Sequence, residues 1–360
     1  MSDHIVMFAS QGNPPDQQDD VISAGYMKSA YPKAVRLLKE ENIQLRRKAL
    51  FTISELLTNG TSCVQLIEEG LIGVLSECLD CHDDIVQERA VNDLNMIVNI
   101  VGSKGCEHLL KVGATEKLFV LLSSSSENVR QATYDVLINA CKRSSEVQDL
   151  LCAMEGMLED LLLKIESMGL ADSHKALGLI RACLAGQRHQ GDVTRRLVRA
   201  EVLSLLVRII NTTVDASLLD AATQLVSLLC LEPGTKKDVI NAGIVAILIP
   251  LLKNHVQVET KTAAVAALMH LSVDVSGKIE CMKFGITRSL VEGLKVREDD
   301  EKFLVNCLQC ISNIAENKDG RDHFQVLEQK LEMLTNHSYA LIQHGAALAL
   351  RSIRFKVVGE

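Results

Sequence analysis

The chain repeats one pattern about every 43 residues, and this period constrains the fold more than any other feature. A small residue begins each unit, and successive small residues lie 43, 43, 44, 43 and 42 positions apart. These residues are Gly70, Gly113, Gly156, Ala200, Gly243 and Gly285. Such a period is typical of α-solenoids, whose units bury their apolar faces only against neighbouring units. We therefore predict an all-α fold, a right-handed α–α superhelix of about eight repeats.

Each unit reads as a short apolar helix, a tight turn and a longer amphipathic helix. In the second unit, apolar residues spaced three and four apart form one stripe, as a helix packed on one side requires. This stripe consists of Val86, Ala90, Val91, Leu94, Ile97 and Val98. The alanine-rich run 262–272 is the clearest long helix, and we place Ala266 in the core of the array.

The repeat divides the chain into a tail and a solenoid. Residues 1–28 are polar, contain Pro14 and Pro15 and lack a period, which predicts a flexible tail. The solenoid is predicted over residues 29–360. A polar, glycine-containing stretch at 186–192 predicts a distortion or hinge, because glycine is unfavourable inside a helix. The last unit is predicted to cap the array with the basic residues Arg351, Arg354 and Lys356.

Composition excludes several classes of function. The chain carries 46 acidic and 38 basic residues, for a net charge of −8, and its basic clusters are short. This argues against nucleic acid as a partner. No apolar run approaches the roughly 20 residues of a membrane-spanning helix, so no membrane association is expected. Aromatic residues make up 3% and Trp is absent, which disfavours a β-sandwich.

Eleven cysteines lie mostly inside apolar helical segments. A reduced thiol packs well as a small core residue, and free thiols are typical of the cytoplasm. Two C-x-x-C pairs occur, Cys78 with Cys81 and Cys307 with Cys310, more than 200 residues apart. Zinc sites usually place a second ligand pair close by. The sequence therefore favours core thiols over a zinc site.

Motifs for catalysis are missing from the sequence. The ten histidines are scattered and form no H-E-x-x-H arrangement. Gly277-Lys278 lacks the flanking residues of a phosphate-binding loop. Acidic pairs such as Asp83-Asp84 precede long helices, where they cap free amides and complement the helix dipole. We expect no enzymatic activity and no cofactor or metal.

The units resemble armadillo repeats more than HEAT repeats, because their long helices carry segments such as 137–140 (Leu-Ile-Asn-Ala) and 311–315 (Ile-Ser-Asn-Ile-Ala). In armadillo proteins this asparagine lines a concave groove and hydrogen-bonds a partner's backbone. The resemblance implies a partner-binding groove at Asn99, Asn139, Arg181, Ser227, His270 and Asn313. A purely solvated polar face is the alternative for any single position. Nuclear-import adaptors also use a Trp ladder, which this chain cannot supply.

Further short segments are similar to the armadillo-repeat proteins of ciliary radial spokes. They are residues 14–16, 45–50, 249–253, 263–269 and 354–356. The resemblance implies a structural scaffold in the axoneme of the cilium or flagellum, within the cytoskeleton. Its partners would be other radial spoke subunits in a large hetero-oligomeric complex that helps to regulate dynein. The alternative is a soluble cytosolic armadillo adaptor or assembly factor that is not built into a large structure.

Overall fold

Helices account for the regular structure of the protein, as the apolar spacing predicts. The computed structural model describes residues 30–154, 156–186, 190–199, 202–253, 256–295 and 300–355. No strand occurs within these ranges. The predicted tail at residues 1–28 lies outside them. The predicted all-α solenoid is therefore confirmed, and eight long helices mark its units within the described part of the chain.

The chain divides into two compact units, and the boundary along the sequence lies between Ala153 and Met154. Both contain stacked helical repeats, and a single solenoid over residues 29–360 stays a prediction. The helices of the first unit are α1 (Ala30–Leu38), α2 (Ile43–Leu57), α3 (Gly60–Glu68), α4 (Leu71–Cys78), α5 (Asp84–Val101), α6 (Ser103–Lys111), α7 (Ala114–Leu121), α8 (Glu127–Arg143) and α9 (Ser145–Ala153).

The second unit has the same organisation over a longer stretch of chain. Its helices are α10 (Met157–Leu163), α11 (Leu170–Leu184), α12 (Gln190–Arg199), α13 (Val202–Thr212), α14 (Ala216–Leu229), α15 (Lys236–Asn241), α16 (Ile244–Leu248), α17 (Val258–Leu271), α18 (Val275–Lys283), α19 (Ile286–Lys295), α20 (Glu301–Ile314), α21 (Lys318–Phe324), α22 (Glu328–Leu334) and α23 (Ala340–Arg354). Single 3₁₀ turns occupy Ile165–Ser167, Pro233–Thr235, Ile249–Leu252 and Gln325–Leu327.

A repeat contains three helices, not the two that we predict from its apolar pattern. The additional short helix precedes the repeat glycine, as α3 precedes Gly70. Asn59 begins α3, because its side-chain oxygen accepts a hydrogen bond from the amide of Thr61 at 2.9 Å. The Asn-Gly pair that ends one long helix thus also starts the next short helix.

The repeat glycines connect the two short helices in a left-handed conformation. Gly70, Gly113, Gly156, Gly243 and Gly285 all have positive φ, between 66° and 86°. A side chain in this conformation clashes with the following backbone, so glycine is strongly favoured. This backbone requirement explains why the period is easiest to see at these positions. Ala200, the sixth predicted member, lies outside the described residues.

The core forms where each long helix packs against the next. Helix α5 contacts α2 and α8 in the first unit, and α11, α14, α17, α20 and α23 contact one another in sequence in the second. The predicted stripe of α5 is completely buried, from Val86 to Val98. Burial of one large apolar side chain contributes about 1.5–3 kcal/mol. Most of the stability of a repeat therefore arises at its boundary with a neighbour.

One detail differs from the sequence-based expectations, and the predicted hinge at 186–192 stays a prediction. Ala266 is half-buried, whereas Ala264 and Ala267 are fully buried, so the core stripe of α17 excludes the residue that we place in it. In the predicted hinge, α11 ends at Leu184 and α12 begins at Gln190, and residues 187–189 lie outside the described residues.

The cysteines occupy the core, as predicted. Ten of the eleven are buried and Cys81 is partly exposed, all with free thiols. Burial raises the pKa of Cys310 to about 12, so this thiol stays protonated and unreactive near neutral pH. The described residues contain no cluster of His, Cys, Asp or Glu suited to holding a metal ion.

None of the helices within the described ranges is both long and apolar enough to cross a membrane.

Ion pairs join consecutive repeats at their edges. Arg47 contacts Asp83 at 2.5 Å, and Arg196 contacts Glu159 at 2.8 Å. These partners lie 36 and 37 residues apart, so each pair spans one repeat boundary. Because the pairs are partly exposed to solvent, each contributes only modestly to the free energy of unfolding. Apolar packing remains the main source of stability.

One buried carboxyl group is poorly satisfied within the first unit. Asp93 on α5 is fully buried, and its Oδ1 accepts a hydrogen bond from Ser54 on α2 at 2.6 Å. Among the residues that the structure describes, its Oδ2 has no hydrogen-bond partner. Burial raises the pKa of Asp93 to about 7, opposed by the Ser54 hydrogen bond and the nearby charge of Arg89. Ionisation of this group therefore weakens the folded state.

We expect substitution by alanine to change the free energy of unfolding in opposite directions at two glycines three residues apart. Gly70→Ala should lower the free energy of unfolding by about 1–2 kcal/mol, because alanine is strained at a φ of 86°. Gly73→Ala, inside α4 with open space around its Cα, should raise that energy by about 0.5–1 kcal/mol. Urea denaturation followed by circular dichroism measures both. Equal effects would contradict the assigned backbone conformations.

Asp93 should make the stability of the first unit depend on pH. The unfolded chain ionises this group near pH 4, whereas the folded chain ionises it at about 7. In that interval the folded state binds more protons, so the free energy of unfolding falls as pH rises. Asp93→Asn should remove this loss and stabilise the protein by about 2–4 kcal/mol at pH 8, with little difference at pH 4.

Urea denaturation between pH 4 and 8.5 tests this dependence. The control is Asp322→Asn, which changes an exposed residue of α21 and should leave the pH profile of the wild type unchanged. Parallel profiles for the wild type and Asp93→Asn would show that the buried carboxyl group does not titrate as expected.

Candidate partner-binding surfaces on the long helices

Four polar side chains form a network between α5 and α8 in the first unit. The amide of Asn139 donates to Oδ1 of Asn95 at 2.9 Å, and the amide of Asn99 donates to the same oxygen at 3.3 Å. Arg143 donates to Oδ1 of Asn99 at 2.9 Å. Asn99 and Arg143 are exposed, so the network ends at a surface that a partner can reach.

Sequence reasoning identifies only half of this network. Asn99 and Asn139 are predicted groove residues, and the structure brings both to one cluster. Asn95 and Arg143 are missed, although each bond across the helices joins residues 44 positions apart. A search for polar pairs at that separation would find both. One repeat period of 43 residues before Asn139 lies Met96. The predicted residue Asn99 therefore lies one helical turn beyond the position in α5 that is equivalent to Asn139.

In the second unit, the predicted residues Arg181, Ser227 and His270 lie on successive long helices, α11, α14 and α17. All three are half-buried. Burial lowers the pKa of Arg181, and the nearby carboxylate of Asp220 opposes this shift. Burial, together with the charge of Lys236, also lowers the pKa of His270, which is therefore neutral at pH 7.

Asn313, the last predicted groove residue, is only 8% exposed. Its amide nitrogen donates to the backbone oxygen of Met269 and to Oγ of Ser272, both at 3.1 Å. Its amide oxygen accepts from Gln309 at 3.2 Å. Asn313 therefore holds α20 against the end of α17, and its amide already bonds within the protein.

The second unit also contains an open groove of about 620 Å³. It crosses four consecutive long helices, and Ser227 is the predicted residue that lines it. The lining comes from α14 (Gln224, Ser227 and Leu228), from α17 (Glu259, Thr262, Ala263 and Ala266), from the start of α20 (Asp300 to Lys302, Val305 and Asn306) and from the start of α23 (Tyr339 and Leu341).

Solved structures of designed proteins establish the class of fold. An engineered protein from the Northeast Structural Genomics Consortium superimposes with a TM-score of 0.79 over 90% of this chain and 78% of its own, at 21% identity. A designed armadillo repeat protein in complex with peptide (KR)4 superimposes with a TM-score of 0.59, at 22% identity over 67% of this chain and 99% of its own. The chain has the armadillo-repeat fold.

A natural protein is similar in sequence as well. Radial spoke protein 14 of Chlamydomonas reinhardtii is 25% identical over 252 residues, which cover 68% of this chain. The match covers 65% of the length of the algal protein, slightly less than two thirds. No protein-family model matches the sequence. The predicted resemblance to the armadillo proteins of radial spokes is thus confirmed.

Two predicted groove residues should differ in their contribution to stability. Asn313→Ala should lower the free energy of unfolding by about 1–3 kcal/mol, because it removes the hydrogen bonds that the amide donates to the backbone oxygen of Met269 and to the buried hydroxyl of Ser272. Ser227→Ala, on the open groove, should change it by less than about 0.5 kcal/mol. Urea denaturation of both variants tests the assignment. Equal losses would contradict a structural role confined to Asn313.

Proposed function

We propose that the chain is a scaffold without enzymatic activity, and that it serves as a component of the ciliary radial spoke. The similarity to Radial spoke protein 14 over 252 residues carries this proposal. The armadillo-repeat fold supports it, because stacked helices expose long surfaces that suit the binding of proteins. The partners would be other radial spoke subunits in a large complex, located in the axoneme.

Partner binding would involve the exposed parts of the long helices in each unit. In the first unit, Asn99 and Arg143 present amide and guanidinium groups at the surface. In the second unit, the groove that contains Ser227 offers a recessed surface. Arg181 and His270 would contribute from half-buried positions, and Asn313 would act indirectly by fixing α20.

Fractionation of cilia tests the proposed location. A tagged copy of the chain should remain with axonemes after detergent extraction, because radial spokes are built into the axoneme. It should be absent from axonemes of a mutant that lacks spokes. A mutant that lacks dynein arms but keeps its spokes is the matched control and should retain the chain. Release of the chain with the detergent-soluble fraction would instead favour the cytosolic adaptor and overturn the proposal.

A further inference from the structure

Three consecutive long helices of the second unit begin with apolar residues. Helices α5, α8 and α20 instead begin with an acidic residue, which favours a helix because it lies near the positive end of the helix dipole. In α11, α14 and α17, apolar residues take this first position and also the position before the N-cap. These six residues, the apolar edge, are Met168 and Leu170, Val214 and Ala216, and Val256 and Val258. Among the described long helices, no other is apolar at both positions.

The apolar edge is accessible to solvent. Val214 is fully exposed and Leu170 is 51% exposed. Met168, Val256 and Val258 are partly exposed. Single exposed apolar residues are common on protein surfaces, whereas a contiguous set of them is typical of an interaction site.

The turns that carry the apolar edge lie next to one another. The turn before α11 contacts α13, because Nε of Arg208 donates to Oε1 of Glu166 at 2.9 Å. The turns before α14 and α17 border an open cavity of about 360 Å³, whose apolar lining includes Val214, Leu219, Leu251 and Val256. This cavity shares no lining residue with the groove that contains Ser227. The apolar edge is therefore one row that crosses three repeats, separate from that groove.

The charges beside the apolar edge favour an acidic partner. Lys164 and Lys253 are exposed in the turns before α11 and α17. The nearby carboxylates already bond within the chain, since Glu166 pairs with Arg208 and Asp215 caps α14. The first positions of the three helices supply no further acid. A partner that brings its own carboxylates would therefore complement both the lysines and the positive ends of the helices.

The spacing of the turns indicates the shape of the partner. Packed helices lie about 8–10 Å apart, so consecutive turns of the apolar edge are separated by about that distance. An α-helix advances about 10 Å in seven residues, and residues seven apart lie on nearly the same face. An extended strand covers this distance in about three residues, and residues three apart lie on opposite faces. A helix laid across the three turns can thus place an apolar residue at each of them, whereas a strand cannot.

We propose that the apolar edge binds an acidic amphipathic α-helix of a partner protein. Apolar residues seven positions apart on that helix would contact Leu170, Val214 and Val256, and one of them would enter the cavity between the last two. Acidic residues beside this apolar face would reach Lys164 and Lys253. This inference rests on the proposed scaffold function and specifies the chemistry of one partner.

Selection from a displayed library of helical peptides of about 21 residues, with the purified full-length chain as bait, tests the proposal. Peptides that also bind the variant Leu170→Glu with Val214→Ser are removed. This variant carries at both positions the residue types that α8 has at Glu127 and Ser125, so its turns should remain folded. The remaining peptides should share apolar residues seven apart beside Asp or Glu. Recovery of no such peptide, or of basic peptides only, would overturn the proposal.

A labelled synthetic copy of a recovered peptide then tests the shape and charge of the ligand by fluorescence anisotropy. Proline at its centre should weaken binding at least tenfold, because proline breaks a helix. Lysine in place of its acidic residues should also weaken binding at least tenfold. Equal affinity of the proline peptide would contradict helical recognition, and equal affinity of the lysine peptide would contradict the assigned charge.

Further variants of the chain locate the contacts. Lys164→Gln with Lys253→Gln should weaken binding of the same peptide at least fivefold and reduce its sensitivity to salt. Val256→Asp, which places a charge at the mouth of the cavity, should weaken it at least tenfold. Unchanged binding by either variant would overturn the assignment to the apolar edge. Thermal denaturation verifies that each variant is folded.

Two controls match these changes elsewhere on the surface. Val120→Ser with Val326→Ser replaces two exposed valines outside the apolar edge, and Lys104→Gln with Lys111→Gln removes the same charge from exposed residues of α6. Both should bind within twofold of the wild type, and a larger loss would contradict the location. The selection uses no cilia, so it can fail while axonemal retention of the chain still supports the proposed function.

Discussion

Apolar packing between consecutive long helices is the interaction on which the rest of the structure depends. A stripe such as that of α5 is too wide to be buried by its own repeat, so it is covered by α2 on one side and α8 on the other. A repeat therefore needs its neighbours to be stable. The same arrangement leaves part of each long helix exposed to solvent, where polar side chains such as Asn99 lie.

Polar residues at the repeat boundaries serve two different purposes. Asn313 and Ser54 hydrogen-bond to groups of an adjacent repeat and are drawn into the packing. Asn99 and Arg143 bond to each other across a boundary but remain exposed. Side chains of similar chemistry thus hold the helices together at one depth and are exposed to solvent at another. The depth of the residue in the stack decides between these roles.

The groove of the second unit is lined by side chains of different chemistry on different repeats. Helix α17 contributes Ala263 and Ala266, whereas the start of α20 contributes Asp300, Glu301 and Lys302. Departures of this kind give different binding chemistry to units that otherwise share one architecture, which suits a scaffold with several partners.

Much of the fold follows from local features of the sequence. The glycine period reflects a left-handed backbone conformation at residues such as Gly70, and the stripe of α5 reflects the burial of one helix face. These constraints act within a few residues, so they can be recognised without the structure. The additional short helix of each repeat, which precedes the repeat glycine, is missed because its short apolar pattern merges with that of the neighbouring short helix.

The positions of the candidate binding side chains follow less directly from the sequence. The sequence alone determined that this is an all-α repeat protein with its cysteines in the core, because spacing along a helix dictates which face is buried. Only the tertiary structure decided that Asn313 is buried, that Asn95 joins Asn139, and that Ala266 lines a groove. Each of these depends on how two helices from different repeats meet, and that contact is not encoded in the period of either helix.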